Sequence, residues 1–521
     1  MYNYYYNFKN TVRHFIDIDS LYYPSQSMDN SIAAKKLTWT KPFKYMINKE
    51  GDGFRTLKIP NILSYIISQR HFESCDNFEN PNLMDMDHKR LEVMTLTGEF
   101  KIGSFDKWLE SDFEKLCVYD VLIKLDIKEF YGRIYTHYLG LTGDAEDRYL
   151  TTLNNGATNG LIMGNYLSLF FAEKHLAKIS EDIKKQIIEK NINCEYNYFS
   201  DDFYFFCNRG DKNEIVSIFD KVLDKYDLER NIDKSNEWDY LSYNNYYVIS
   251  RFWKKLIAKC NTARKAEDTP NKLVFINQLL YRASRLKDHR QKKVFICGFF
   301  KTKYFRQKLE LRKYSLREYD IHQLCFLIRE VPEILLYCVD KLREIDKFDA
   351  TKFKKFFAIR YKEALKKPFH DEQLYYFYGM YSLGFLDELQ GCSEGIIKTG
   401  NQILISYYLS FGWFKEEDII SLKNMDEEDY WFQNYHLILY CEDLRNNLDA
   451  SIKKYLIPKK VYEYNNPELT DREALFLDFY TNNLIQQKNL IRDVDSVEQE
   501  IRNYLELRFE FEEKMYEEKS V

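Results

Sequence analysis

The chain has 521 residues, 45% of them hydrophobic and 30% charged, with a formal net charge of −5. That length exceeds one ordinary domain, and the longest apolar run, near Ile403 to Phe414, is too short to span a bilayer, so no membrane partner is expected. The negative balance excludes an evenly basic surface for gripping long duplexes; a nucleic acid would have to meet basic residues concentrated in a channel, or be held over a short length.

In chain order, the N-terminus carries Tyr2, Tyr4, Tyr5 and Tyr6 but no charged-then-apolar leader, which predicts a cytoplasmic protein. The stretch Lys49-Glu50-Gly51-Asp52-Gly53-Phe54-Arg55-Thr56-Leu57-Lys58-Ile59-Pro60 reads as a hairpin with Asp52-Gly53 at its turn. Tyr119-Asp120-Val121-Leu122-Ile123-Lys124-Leu125-Asp126 reads as a buried strand that delivers Asp126 at its end. The glycine-punctuated loop Asn159-Gly160-Leu161-Ile162-Met163-Gly164-Asn165 then runs into a helix over 169–179. In Asn197-Tyr198-Phe199-Ser200-Asp201-Asp202-Phe203-Tyr204-Phe205-Phe206 two acids interrupt an aromatic segment, so two strands are expected with the aspartates in the turn between them. Adjacent carboxylates repel unless a cation lies between them, which points to a divalent metal. Ile215, Phe219, Val222 and Tyr226 recur at helical spacing, followed by Leu228-Glu229-Arg230-Asn231-Ile232-Asp233-Lys234-Ser235.

A strand-ending Asp, a Gly-x-x-x-Gly loop entering a helix, and an Asp-Asp hairpin, in that order, resemble the palm of a reverse transcriptase, over roughly residues 40–255. The resemblance implies two-metal phosphoryl transfer, with metals about 3.5–4 Å apart stabilising the attacking and leaving oxygens. It implies that Asp126 and Asp201 hold both metals, that Asp202 assists, and that the Ile127 carbonyl completes the nucleotide-bound site; the expected ion is magnesium, with manganese as the alternative. Lys234 is expected to serve the departing pyrophosphate. Lys49 and Arg55 of the fingers hairpin are expected to meet the triphosphate of a deoxynucleotide. Tyr131, five positions after Asp126, stands where the family excludes a 2′-hydroxyl. Where many relatives carry Pro-Gln before the second glycine, this chain has Ile162-Met163; Met163 and Gly164 are expected to pack beneath the incoming base.

The chain holds 43 tyrosines and 38 phenylalanines, most at helical spacing and so expected in the core. Its 10 cysteines lack any Cys-x-x-Cys pair, which predicts reduced, buried thiols. Beyond residue 260 amphipathic patterns succeed one another over 272–287, 317–345, 351–365, 371–389, 401–414, 426–446, 471–487 and 494–518. The expected fold is therefore an α+β fingers and palm of right-hand polymerase type over 1–260, with the palm at about 110–255, followed by an all-α, HEAT-like solenoid over 261–521. A palm followed by a long helical region, with the altered loop, resembles the bacterial abortive-infection and defence-associated reverse transcriptases. That resemblance implies antiphage action, higher oligomers, and DNA synthesis begun on a protein tyrosine, either without template or on a dedicated non-coding RNA; tyrosines crowd the N-terminus and Tyr516 lies in an acidic C-terminal stretch, but no priming residue is assigned. A conventional primer-dependent RNA-templated DNA polymerase is the second reading. A non-catalytic nucleic-acid-binding scaffold or sensor is the third, and it has no use for three carboxylates that repel phosphate.

Overall fold

The computed structural model describes residues 10–24, 37–49, 53–90, 93–94, 99–100, 104–141, 144–246, 274–286, 289–314, 316–345, 347–459 and 468–518. Asp52 of the expected turn, Tyr2, Tyr4, Tyr5 and Tyr6, and the expected boundary near residue 260 lie outside them.

Among the described residues eight strands form three antiparallel sheets. β1 (Phe43–Asn48) and β2 (Phe54–Ile59) make the expected hairpin, with Ile47 opposite Arg55, and β3 (Val93–Met94) and β4 (Glu99–Phe100) make a short ribbon. The central sheet contains β5 (Val121–Ile127), β6 (Cys194–Phe199), β7 (Asp202–Cys207) and β8 (Arg230–Trp238), in spatial order β6-β7-β5-β8. Period-two alternation sorts its two faces. Val121, Ile123, Leu125 and Ile127 of β5 join Phe203, Phe205 and Cys207 of β7 in the main core. Leu122, Tyr204 and Phe206 point the other way, into a small cluster with Leu116, Tyr119 and Tyr243. The helix Tyr166–Glu189 is longer than expected at both ends. Asn165 starts it, because its side chain accepts from the Ser168 N–H at 2.9 Å while its amide donates to the Ile162 carbonyl. The stretch from Leu228 to Ser235 enters a strand, β8, at Arg230.

The second half is helical, and proline and glycine cut several of the expected patterns. The pattern over 317–345 splits at Pro332 into Glu318–Glu330 and Leu335–Arg343, since proline cannot continue the hydrogen-bond ladder. That over 371–389 ends as His370–Ser382, with Gly384 at φ +80° before a short turn of helix. Val494–Glu518 matches its expected bounds; His289–Phe300, Glu416–Lys423 and Leu448–Tyr455 are helices that the periodicity left unmarked. Successive helices stack in two layers. Val274–Ala283, Glu318–Glu330 and Thr351–Ala364 pack in sequence on one side, and His370–Ser382 lies between Thr351–Ala364 and β1.

One hydrophobic core runs without interruption from the hairpin to the last helix. Phe43 packs on Trp431 and Phe432, and the Asn61 amide donates to the Tyr480 hydroxyl at 2.6 Å. Among the described residues the largest fully buried side chains are tyrosines, Tyr45, Tyr198, Tyr408 and Tyr435 among them, so the aromatic excess lies mainly inside. Among the described residues every cysteine is free, and no helix is long and apolar enough to cross a membrane.

Candidate active site on the central sheet

β6 and β7 are joined by a two-residue turn, Ser200-Asp201, closed by the pair Phe199 and Asp202. Asp202 is thus the first residue of β7, where the sequence places it in the turn. Ser200 takes the turn's positive φ of 52°, which a short polar side chain tolerates. Register then decides the site. Asp126 on β5 lies directly opposite Asp202 on β7, so their side chains leave the sheet on the same face, the one that carries Leu122 and Phe206 further along. Asp201 is fixed between them through its backbone, because its carbonyl accepts from the Ile127 N–H at 3.0 Å. Ile127 itself is wholly buried.

Two lysines hold these carboxylates. Lys234 Nζ sits 2.8 Å from Asp126 Oδ2, and Lys124 Nζ sits 2.7 Å from Asp202 Oδ2. The pairing of β5 with β8 slips by several residues between Lys124 and Asp126, and Lys234 belongs to the surplus residues of β8 that this bulge lifts out of register. Lys124 is two residues before Asp126 and therefore on its face, opposite Tyr204 and diagonal to Asp202. The sequence reading did not single it out; the signal was the Lys-x-Asp spacing on a strand. Behind it, Arg90 lies 3.8 Å over the Tyr204 ring and pairs with the buried Asp112.

The remaining oxygens, Asp126 Oδ1 and Asp202 Oδ1, are buried and accept no hydrogen bond. An orphaned carboxylate oxygen is costly unless a proton or cation meets it. Burial pushes Asp202 up to about 6 against the opposing pull of Lys124, and burial together with the nearby Asp126 raises Asp201. Among the described residues no group of three His, Cys, Asp or Glu side chains is drawn together closely enough to grip a metal by itself. The donor set nevertheless suits a hard oxygen-loving dication: two facing carboxylates, each with a free buried oxygen, and a third one residue away. Bound there, such an ion would supply Lewis-acid stabilisation of phosphate oxygens.

The other expected residues gather around this point in part. Tyr131 lies two residues after Glu129, which has φ 51°, and packs against Phe130. Burial first, then the charges of Glu173 and Asp201, push its hydroxyl up, while Arg55 of β2 pulls it down. Tyr131, Asp201 and Arg55 are therefore within electrostatic reach of one another. The Met163 carbonyl accepts from the Lys58 N–H at 3.3 Å, and a Cβ on Gly164, whose φ is +110°, would touch Leu57 at 3.4 Å. Gly160 is held closer still: a Cβ there would meet the Gly132 carbonyl oxygen at 2.9 Å. The loop therefore fastens the β1–β2 hairpin to the central sheet. Lys49 is at the exposed end of β1, where its N–H donates to the Gly53 carbonyl, and among the described residues no contact links it to the carboxylates.

No protein-family model matches the chain, and no curated protein sequence matches it. Among solved structures it is similar to apo telomerase from Candida tropicalis, at 12% identity and a TM-score of 0.29, covering 78% of this chain and 69% of that one. It is similar also to telomerase from Candida albicans in complex with a fragment of telomeric RNA, at 11% identity and a TM-score of 0.31, covering 77% and 65%. Superpositions this loose carry no weight for fold or function.

Proposed function

We propose that the chain is a DNA polymerase of reverse-transcriptase type. The observation that carries this reading is the face-to-face pair Asp126 and Asp202 with Asp201 in the intervening turn, each of the facing carboxylates keeping one buried oxygen without a partner. A fold that needed only a stable sheet would place apolar or fully paired side chains there. In the proposed reaction Asp126, Asp201 and Asp202, with the Ile127 carbonyl, hold magnesium or manganese. Arg55 and Lys49 meet the triphosphate, Tyr131 stands under the sugar and disfavours ribonucleotides, and Met163 with Gly164 support the base. Lys234, already beside Asp126, neutralises the departing pyrophosphate.

The finer reading follows the resemblance to the defence-associated enzymes: a cytoplasmic, oligomeric protein that acts against phage and starts DNA on one of its own tyrosines, without template or on a dedicated RNA. Tyr516 falls on the helix Val494–Glu518. The test is incubation of purified protein with magnesium and each labelled deoxynucleotide, without primer or template, analysed before and after protease. Label that is retained on protein and disappears in Asp201→Asn/Asp202→Asn supports self-primed synthesis. Extension only of an added primer on RNA selects the conventional enzyme, and activity that survives the double substitution overturns the site.

A further inference from the structure

The chain is acidic overall, yet seven lysines or arginines stand against one acid, Glu363, between residues 351 and 367. Their positions are not scattered. On the helix Thr351–Ala364, Lys352, Lys355, Ile359 and Lys362 are all exposed and follow one another at spacings of three and four, which puts them in one outward row. Among the described residues Lys355 and Lys362 form no ion pair, and Lys352 has only the field of Asp349 nearby. The neighbouring helix Glu318–Glu330 has an outward row of its own, Tyr319, His322, Phe326 and Arg329, with Tyr319 62% and Phe326 43% exposed. The next helix in the layer, Val274–Ala283, adds Tyr281, 53% exposed, with Arg285 4.5 Å over its ring. Arg329 likewise lies 4.9 Å from the Phe326 ring.

This combination is unusual for the molecule. Most of its described aromatic side chains are inside, and here three rings reach solvent on adjacent helices, two of them, Tyr281 and Phe326, beside an arginine. Rings that offer their faces among unpaired lysines suit a polyanion with its own flat rings, which is single-stranded nucleic acid: phosphates meet the lysines and bases stack on the aromatics. His322 and the amide pair Gln323 to Asn277, joined at 2.7 Å across the first two helices, add neutral donors and acceptors among the rings. A ribose 2′-hydroxyl engages groups of that kind and deoxyribose has none to offer.

We infer that the outer face built by the helices Val274–Ala283, Glu318–Glu330 and Thr351–Ala364 binds single-stranded RNA. The choice of RNA rests in part on the polymerase reading; the surface does not. The test measures anisotropy of a short, unstructured labelled RNA and of the DNA of the same sequence with full-length protein, in chelator and without nucleotides, across a salt series. Lys352→Gln/Lys355→Gln/Lys362→Gln is expected to weaken RNA binding about tenfold or more at moderate salt and to reduce the salt slope by about 2. Phe326→Ala is expected to cost about tenfold with little change of slope. Both variants should melt at the wild-type temperature and keep wild-type incorporation in the primer-free assay. RNA affinity within twofold of wild type in both variants overturns the surface, and DNA bound as tightly as RNA overturns the occupant. Asp201→Asn/Asp202→Asn should bind RNA like wild type. Its effect on incorporation judges the polymerase reading separately.

Discussion

At the scale of single residues, Lys124 is the side chain with the sharpest consequences. It puts a positive charge 2.7 Å from Asp202 and is itself mostly shielded, so the pair is screened less than an exposed one. A dication approaching Asp202 meets that ammonium as a competitor. Lys124→Met should therefore tighten manganese binding, measured by paramagnetic resonance titration without nucleotide, by about three- to tenfold. Lys124→Arg should leave it near wild type, and weaker binding in Lys124→Met would assign the lysine to holding Asp202 in place. Tyr131 provides a second prediction. Tyr131→Ala should lower discrimination against ribonucleotides by about tenfold or more, read as the ratio of kcat/KM for deoxy- and ribonucleotides. The three aspartates were legible in the sequence because carboxylates inside aromatic strands have few structural uses. The lysines that balance them were not, since a lysine in a strand looks the same whether it faces solvent or a carboxylate diagonal to it. Only the β5–β7 register and the β5–β8 bulge tell these cases apart.

At the scale of elements, period-two and period-3.6 patterns marked the strands of the catalytic-site candidate and most helices, while their ends depended on chemistry that the pattern does not weigh. Pro332 and Gly384 cut apolar stripes that continue in register on both sides, and β8 escaped notice because its exposed edge alternates poorly. The helix Trp431–Tyr440 shows how such elements are then locked together. His436 Nδ1 bonds to the Phe432 carbonyl at 2.9 Å, and Nε2 accepts from the Leu490 N–H at 3.3 Å, so the ring joins this helix to the segment before Val494 only while it is neutral. Burial depresses its pKa to about 3. The unfolded chain, with an ordinary histidine, binds a proton below about 6.5, whereas the folded chain does not, so stability from this group is complete above that pH and is lost as pH falls toward 3. By pH 5 the loss amounts to about 2 kcal/mol. In urea unfolding at pH 7 and pH 5, His436→Gln should shrink the difference between the two pH values, relative to the wild type, by about that amount.

At the scale of the whole molecule, the β1–β2 hairpin belongs as much to the helical half as to the central sheet. The Met46 N–H donates to His370 Nδ1 at 3.3 Å and the Asn48 N–H to Asp371 Oδ1 at 3.2 Å, which leaves the free edge of β1 capped by one helix terminus. Phe43 and Tyr45 are wholly buried against Trp431, Phe432 and His370. Far along the chain, Ile16 bridges to Ile491, and the Tyr22 N–H donates to the Asn483 side chain at 2.8 Å. A division of the sequence near residue 260 reflects the change from mixed to helical patterning, but the apolar contacts cross it, since Phe43 of β1 packs on Trp431 and Phe432 and one core joins both halves. A fragment ending before residue 274 would expose Phe43, Tyr45 and the neighbours of Asn61 to water and would lose the acceptors of the β1 edge. At about 25 cal/mol per Å2, uncovering several large side chains outweighs the marginal stability of a domain. Such a fragment should therefore aggregate or lack a cooperative transition, and the full chain should unfold in one calorimetric step. Two separated transitions, with the first half melting unchanged as a fragment, would show that the halves fold independently and that the hairpin can move relative to His370–Ser382. A hairpin held in this way keeps Arg55 at a fixed distance from Tyr131 and Asp201. Phe43→Ala should thus raise KM for the nucleotide as well as lower stability by about 3–5 kcal/mol, whereas a purely structural role would change stability alone.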